Sequence, residues 1–261
     1  MTVAKPAKSE VISNYSIRAG AGCGKSSQIE WVEKGKAPKG IKLSDQQEAI
    51  MESLVVKSRK KRKVRVACFN TAIMTELEPK FPNADVRNNH KIGLHALKQR
   101  ISPKGGREYI DGKKYDKIAK MVIGNPYDDT SLFPVFSTAL KLCDLARATL
   151  TGNCDERAAT WEIDQDQLID MAEFYNLDIE DGRALQHVEE LINLGIKQAK
   201  TKIDFTDMIF MPRVFNAKPD HVDRCYIDEM QDLNASQQWL HLETADEYVV
   251  VGDVFQSIYE M

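Results

Sequence analysis

The chain has 261 residues and lacks several features that would narrow its class at once. None of its five cysteines, Cys23, Cys68, Cys143, Cys154 and Cys225, stands in a Cys-x-x-Cys pair, which argues against zinc or iron–sulfur ligation and for reduced thiols. His90 and His95 are five apart, off one helical face, and so do not make a metal pair. No apolar run approaches the length of a membrane span, and the N-terminus carries lysines and a proline without the apolar core of a signal peptide. A cytoplasmic or nucleic-acid-associated protein with no membrane partner is therefore expected. Excess charge is also missing: Lys plus Arg number 36 against 39 for Asp plus Glu, so any nucleic-acid contact must be a local patch. No internal repeat or low-complexity tract is visible.

What is present is the composition of a folding chain, 43% hydrophobic and 29% charged, long enough for one large domain or two smaller ones. Short β-branched runs alternate with helical segments in two places, which predicts an α/β fold with a parallel sheet. In the first place a strand over 15–18 leads through a loop to a helix from Gly24. A second helix from Ser44, a strand over 64–69 and a helix from Asn70 follow. In the second, strands over 222–228 and 248–252 flank a helix over 235–243. The middle, roughly 103–202, has helical periods over 132–150, 165–175 and 182–200, and is predicted to be a helical insertion entered through turns at Gly105-Gly106 and Asp111-Gly112.

The stretch Ala19-Gly20-Ala21-Gly22-Cys23-Gly24-Lys25-Ser26-Ser27 lies between the first strand and helix. A glycine-rich turn opening into a helix directs consecutive backbone N–H groups and the positive end of the helix dipole at one point, where an anion is favoured. Lys25 would reach the β- and γ-phosphates of a triphosphate and Ser26 would offer its hydroxyl to Mg²⁺. The pattern is G-x-x-x-x-G-K-[ST] with Ala19 in place of the first glycine. Further on, Cys225-Tyr-Ile-Asp-Glu-Met-Gln-Asp-Leu-Asn234 brings Asp228 and Glu229 to the C-terminal end of a strand, where ligands of parallel α/β sheets sit. Asp228 is suited to hold Mg²⁺ and Glu229 to act as general base toward water. A third segment, Val249-Val-Val-Gly-Asp-Val-Phe-Gln-Ser-Ile-Tyr259, ends an apolar strand in Gly252-Asp253, with Gln256 placed to sense the γ-phosphate.

In order and wording, A-G-A-G-C-G-K-S, C-F-N-T-A-I, I-D-E-M-Q-D-L-N and V-V-G-D-V-F-Q-S-I-Y resemble the first RecA-like domain of UvrD/Rep-type superfamily 1 DNA helicases. Asp204-Phe-Thr-Asp-Met208 resembles the D-F-x-D-hydrophobic segment that precedes the acidic motif of that family. The resemblance covers both α/β segments. It implies a P-loop NTPase (RecA-like) parallel sheet with an inserted all-helical subdomain, the motor domain formed by residues 1–102 and 203–261 and the insertion by 103–202. It further implies ATP and Mg²⁺ as cofactors, held by 19–27 and Asp228, with metal at Ser26 and Asp228. Catalytic roles fall to Lys25, Glu229 and Gln256, and contacts to single-stranded or partly duplex DNA to Phe69, Asn70, Thr71 and His90. The expected activity is ATP hydrolysis coupled to translocation and unwinding. A helicase-like module that binds nucleotide or DNA without turnover is the alternative, while a nucleoside kinase would lack the D-E-x-Q-D and G-D-x-x-Q segments.

The chain departs from that family in four places. No glutamine precedes the phosphate loop to read adenine, the first being Gln28, so adenine specificity is left open. Leu43-Ser-Asp-Gln-Gln-Glu-Ala-Ile50 resembles the adenine-reading motif displaced downstream but also reads as a capping box, Ser44 with Gln47. Asn88-Asn89 stands where the family has Thr-Phe, and Met230 replaces Ala. The motifs stop short of a second RecA-like domain, so the expectation is a piece of a longer helicase, or one completed by a partner chain. Without the arginine such a domain supplies, worth about 10³–10⁵ in rate, this chain alone is expected to hydrolyse ATP poorly. The basic run 57–63 reads equally as a solvated helix end and as a phosphate contact. Trp31, Trp161 and Trp239 read as packing residues.

Overall fold

The fold is described from a computed structural model, which covers residues 13–18, 25–34, 36, 39, 62–104, 106–179, 182–242 and 244–252. In chain order the main elements are β1 (Ser13–Arg18), α1 (Lys25–Lys34), β2 (Val64–Cys68), α2 (Thr71–Leu77), β3 (Asp85–Asn88), α3 (Asn89–Ile101), α4 (Lys114–Val122), α5 (Phe133–Thr149), β4 (Asn153–Asp155), β5 (Thr160–Glu162), α6 (Gln165–Phe174), α7 (Arg183–Lys197), α8 (Asp207–Val214), β6 (Val222–Ile227), α9 (Ala235–His241) and β7 (Ala245–Gly252). They form two compact units. A sheet unit takes the described residues up to Asn88, His221–Leu233 and 244–252, and a helical unit takes Asn89–Asp220 and Asn234–Leu242.

The sheet unit is α/β, its five strands all parallel in the order β1-β7-β6-β2-β3. A parallel sheet covered on both faces needs near-continuous apolar strands. All five residues of β2 are buried, and Val249 and Val251 of β7 are fully so. Their side chains join Val64, Val66, Tyr226 and Phe81 in one core, to which α1 adds Ile29 and Val32 and α2 adds Met74 and Leu77. Each helix pair is three apart and so shares a face. Strand β3 is absent from the sequence-based expectation. As the last strand of the sheet it buries Val86 and Asn88 in alternation with half-buried Asp85 and Arg87, a pattern too short and polar to announce itself. Charge gathers toward the strand starts: Arg224 Nε donates to Glu247 Oε2 at 2.8 Å and its Nη1 to the Tyr226 hydroxyl at 3.1 Å, which in turn donates to Glu33 Oε2 of α1 at 2.9 Å.

The helical unit reaches beyond the expected insertion 103–202, adding 89–102, 203–220 and 234–242. The cause is helix packing. Ile92, Gly93, Ala96 and Leu97 form the buried face of α3, and a Cβ built on Gly93 would fall 2.0 Å from the Met208 carbonyl oxygen, so glycine lets the backbones of α3 and α8 approach closely. Nor is the unit all-helical, a correction to the expected all-helical subdomain: β4 and β5 make an antiparallel hairpin, pairing Asn153 with Glu162. With three residues per strand and one well-buried residue, Trp161, the hairpin leaves little periodic signal. Trp161 is 2% exposed, stacks edge-on against Phe210 at 4.9 Å and donates from Nε1 to the Thr151 carbonyl at 2.8 Å. Gly152 enters the hairpin at φ +114, where a Cβ would meet the Glu162 carbonyl at 2.2 Å.

At the centre of this unit lies a buried ionic cluster. Asp207, fully buried, accepts from Lys114 Nζ at 2.5 Å, from Arg147 Nη1 at 2.9 Å and from the Tyr115 hydroxyl at 3.0 Å. Arg147 also donates to both oxygens of Asp204, at 2.9 and 3.0 Å, and lies 3.7 Å from the Tyr115 ring centroid. The remaining Lys114 hydrogen bond goes to the Gly195 carbonyl at 2.8 Å. Thus α4, α5, α7 and α8 are joined through two cations and two carboxylates.

Candidate functional site

The C-terminal edge of the sheet collects the ends of three strands that carry the motifs. Parallel register places Arg18, the last residue of β1, beside Gly252, the last of β7, and Ile227 of β6 beside both Val250 and Ala67. The chain leaves β1 toward 19–24 and is next described at Lys25 and Ser26, which open α1, followed by half-buried Ser27. Asp228 follows β6 directly, is 3% exposed, and donates its backbone N–H to the Ala67 carbonyl at 3.1 Å, extending the ladder by one residue. Its Oδ1 accepts from the Glu229 N–H at 3.1 Å.

The acidic turn is tightly wound. Glu229 adopts a left-handed backbone, φ 52, which an L-residue takes at a cost of roughly 1–2 kcal/mol and which redirects the chain after the strand. Gln231 Nε2 donates to Glu229 Oε2 at 2.8 Å, and its Oε1 lies so near Gly252 that a Cβ there would be 2.5 Å away. Gln231 therefore spans from the acidic turn to the end of β7, which the sequence analysis did not foresee. The glutamine within D-E-M-Q-D was the available signal. Cys68, at the end of β2, has its thiol pushed up to about 12 by burial and then by the Asp228 carboxylate, so it stays protonated and inert.

Of the four residues expected to meet DNA, Asn70 and Thr71 have structural partners. Asn70 caps α2, its side chain accepting from the Ile73 N–H at 3.0 Å, and Thr71 Oγ1 accepts from Asn88 Nδ2 at 3.0 Å. Both remain exposed, beside half-buried Phe69. His90 belongs to the helical unit, where burial lowers its pKa, so the ring is neutral near neutral pH. The two asparagines at the departure from the family pattern carry structural bonds: Asn88 to Thr71, and buried Asn89, whose Oδ1 lies 2.9 Å from His241 Nε2. Asp204 and Asp207 of the D-F-x-D segment belong to the buried ionic cluster.

Ala19, Gly20, Ala21, Gly22, Cys23, Gly24, Asp253 and Gln256 lie outside the described residues, as do the predicted helix from Ser44 and residues 57–61 of the basic run. Among the described residues no group of three His, Cys, Asp or Glu side chains could hold a metal ion. Mg²⁺ beside a nucleotide does not require one, since one or two protein oxygens with phosphate and water complete its shell. The carboxylate of Asp228, buried at a strand end, is a hard oxygen donor of that kind. No helix among the described residues is long and apolar enough to cross a membrane. Neither the models of known protein families nor the curated proteins yield a match to this chain.

Proposed function

We propose that the sheet unit is the ATP-binding motor domain of an ATP-dependent DNA helicase of the UvrD/Rep type, a RecA-like P-loop NTPase. The observation that carries this reading is the register at the C-terminal sheet edge: Arg18, from which the phosphate-loop sequence departs, pairs with Gly252 of the V-V-G-D segment, and Gln231 of the acidic turn lies against that same glycine. The strand that leads into the phosphate-loop sequence, the acidic turn and the end of β7 thus meet at the sheet edge where parallel sheets bind ligands, which supports this reading.

In this reading the backbone N–H groups of 19–24 cradle the triphosphate and Lys25 neutralises its outer phosphates. Ser26 and Asp228 would hold Mg²⁺, which supplies charge neutralisation to the phosphates when bound. Glu229 accepts the proton of the attacking water, its carboxylate oriented by Gln231. Gln256 follows β7 and couples the γ-phosphate to motion. Single-stranded DNA is the proposed partner, with Phe69, Asn70 and Thr71 as its contacts in the sheet unit, while His90 offers a neutral hydrogen-bonding ring rather than charge.

The test is hydrolysis of Mg·ATP with and without single-stranded DNA, alone and with an added second RecA-like domain. DNA-stimulated turnover is expected, and Glu229→Gln should lower it by roughly 10²–10⁴-fold, the usual worth of a general base, while nucleotide binding persists. Binding without turnover under any of these conditions would support the inert module instead.

A further inference from the structure

Phe174 and Tyr175, where α6 ends, are 59% and 41% exposed, and their rings meet edge to face with centroids 5.0 Å apart. The backbone that presents them is fixed. The Tyr175 N–H donates to the Met171 carbonyl at 3.0 Å, Asn176 turns the chain through the left-handed region at φ 50, and the Leu177 N–H returns to the Ala172 carbonyl at 2.8 Å. Leu177 and Ile179 then pack against the core that holds Leu168 and Ala172 of the same helix. Two large rings thus face water on a helix end that is itself anchored, so a partner that covers them has little further backbone to order.

The charge along this helix is of one sign. Between Arg157 and Arg183 the chain has eight Asp or Glu and no Lys or Arg. Asp166, Asp170 and Glu173 stand at i, i+4 and i+7 on α6, all exposed, and Phe174 lies one turn beyond Asp170 on the same side. None of these three carboxylates has an ion-pair partner among the described residues, whereas Asp111 and Asp116 of the same unit are paired with Lys117 and Lys120. The last turn of α6 carries no basic residue, so the negative end of the helix dipole adds to the acids. Arg183, the next cation in sequence, follows Asp178, Glu180 and Asp181. Such a face repels a phosphate backbone or an anionic lipid surface. A guanidinium suits it on two counts, because it stacks on aromatic faces and donates paired hydrogen bonds to carboxylates.

We infer that the end of α6 is a docking surface for an arginine-rich segment of a partner protein, with one guanidinium stacked on Phe174 and Tyr175 and others paired with Asp166, Asp170 and Glu173. The inference uses no residue proposed for nucleotide or DNA binding and does not depend on either.

Fluorescence anisotropy of labelled octa-arginine, octa-lysine and octa-glutamate with the full chain tests it, with circular dichroism confirming that each variant folds. Octa-arginine should bind most tightly, octa-lysine several-fold more weakly and octa-glutamate not at all. Phe174→Ala/Tyr175→Ala should weaken octa-arginine about tenfold. Phe174→Leu, which keeps apolar area without an aromatic face, should weaken it too, and Tyr175→Phe should not. Asp166→Asn/Asp170→Asn/Glu173→Gln should weaken binding by about tenfold or more and reduce its dependence on salt. Glu76→Gln/Glu78→Gln/Glu108→Gln removes the same charge from exposed positions elsewhere and should leave affinity within about twofold. Equal losses from the two triple variants would reveal a general attraction between a polycation and an acidic chain, and would overturn the docking surface. So would absence of octa-arginine binding, unchanged affinity of Phe174→Ala/Tyr175→Ala, octa-lysine binding as tightly as octa-arginine, or oligothymidylate binding that Phe174→Ala/Tyr175→Ala weakens.

Discussion

Both units bury charge, but they dispose of it differently. In the helical unit, buried Lys114 and Arg147 are answered by Asp204 and Asp207, with the more exposed Asp144 as a third carboxylate on Arg147, so that two cations face three carboxylates. In the sheet unit the corresponding ion pair, Arg224 with Glu247, stands toward the strand starts, while the strand ends carry the acidic turn Asp228, Glu229 and Asp232. The helical cluster ties its helices together through buried charge-assisted hydrogen bonds. The acidic turn stands instead at the C-terminal edge of a parallel sheet, the edge at which folds of this class bind ligands and at which Mg²⁺ is proposed.

The contrast can be broken most severely from the helical side. Lys114→Met should destabilise that unit by about 3–5 kcal/mol, because it leaves Asp207 short of a buried partner, and urea unfolding followed by the fluorescence of buried Trp161 reads the loss. A change below about 1 kcal/mol would mean the cluster is not an electrostatic unit. In the sheet unit Tyr226→Phe should cost about 1 kcal/mol, since it removes the hydroxyl that links Arg224 to Glu33 of α1 but no charge, and the shift in urea midpoint measures it.

The smallest effect is a pH dependence. Burial lowers the His90 pKa from its ordinary 6.5, so as pH falls through that value the unfolded chain takes the proton first. The stability that neutral His90 contributes is complete above pH 6.5 and declines as pH falls toward its folded pKa. His90→Gln should flatten this part of the stability profile between wild type and variant. An unchanged acid limb would show that His90 is not held neutral by the fold.

The parts of this architecture written in contiguous residues were legible without coordinates. Apolar runs ending in motif residues predicted β1, β2, β6 and β7, and 3.6-residue periods predicted α5, α6 and α7, each within a few residues of its bounds. The helix expected from Asn70 is α2, and the structure shows Asn70 as its side-chain cap. What escaped was set by distant partners. Strand β3 exists because β2 offers it an edge, the hairpin β4–β5 because Trp161 finds a pocket, and the ionic cluster because Lys114, Arg147 and Asp207, separated by tens of residues, meet among four helices. At the candidate site, Asp228 and Glu229 were legible from their place after an apolar strand. The span of Gln231 to Gly252 was not, because it depends on β7 lying next to β6.

Titration calorimetry of Mg·ATP against wild type, Lys25→Ala and Asp228→Asn reaches the central claim most directly. Wild type should bind, Lys25→Ala should bind at least tenfold more weakly, about 1.4 kcal/mol or more, and Asp228→Asn should bind metal-free ATP like wild type yet lose the tightening that Mg²⁺ confers. Wild type that fails to bind, or three proteins of equal affinity with equal response to Mg²⁺, would contradict a nucleotide site at this edge of the sheet.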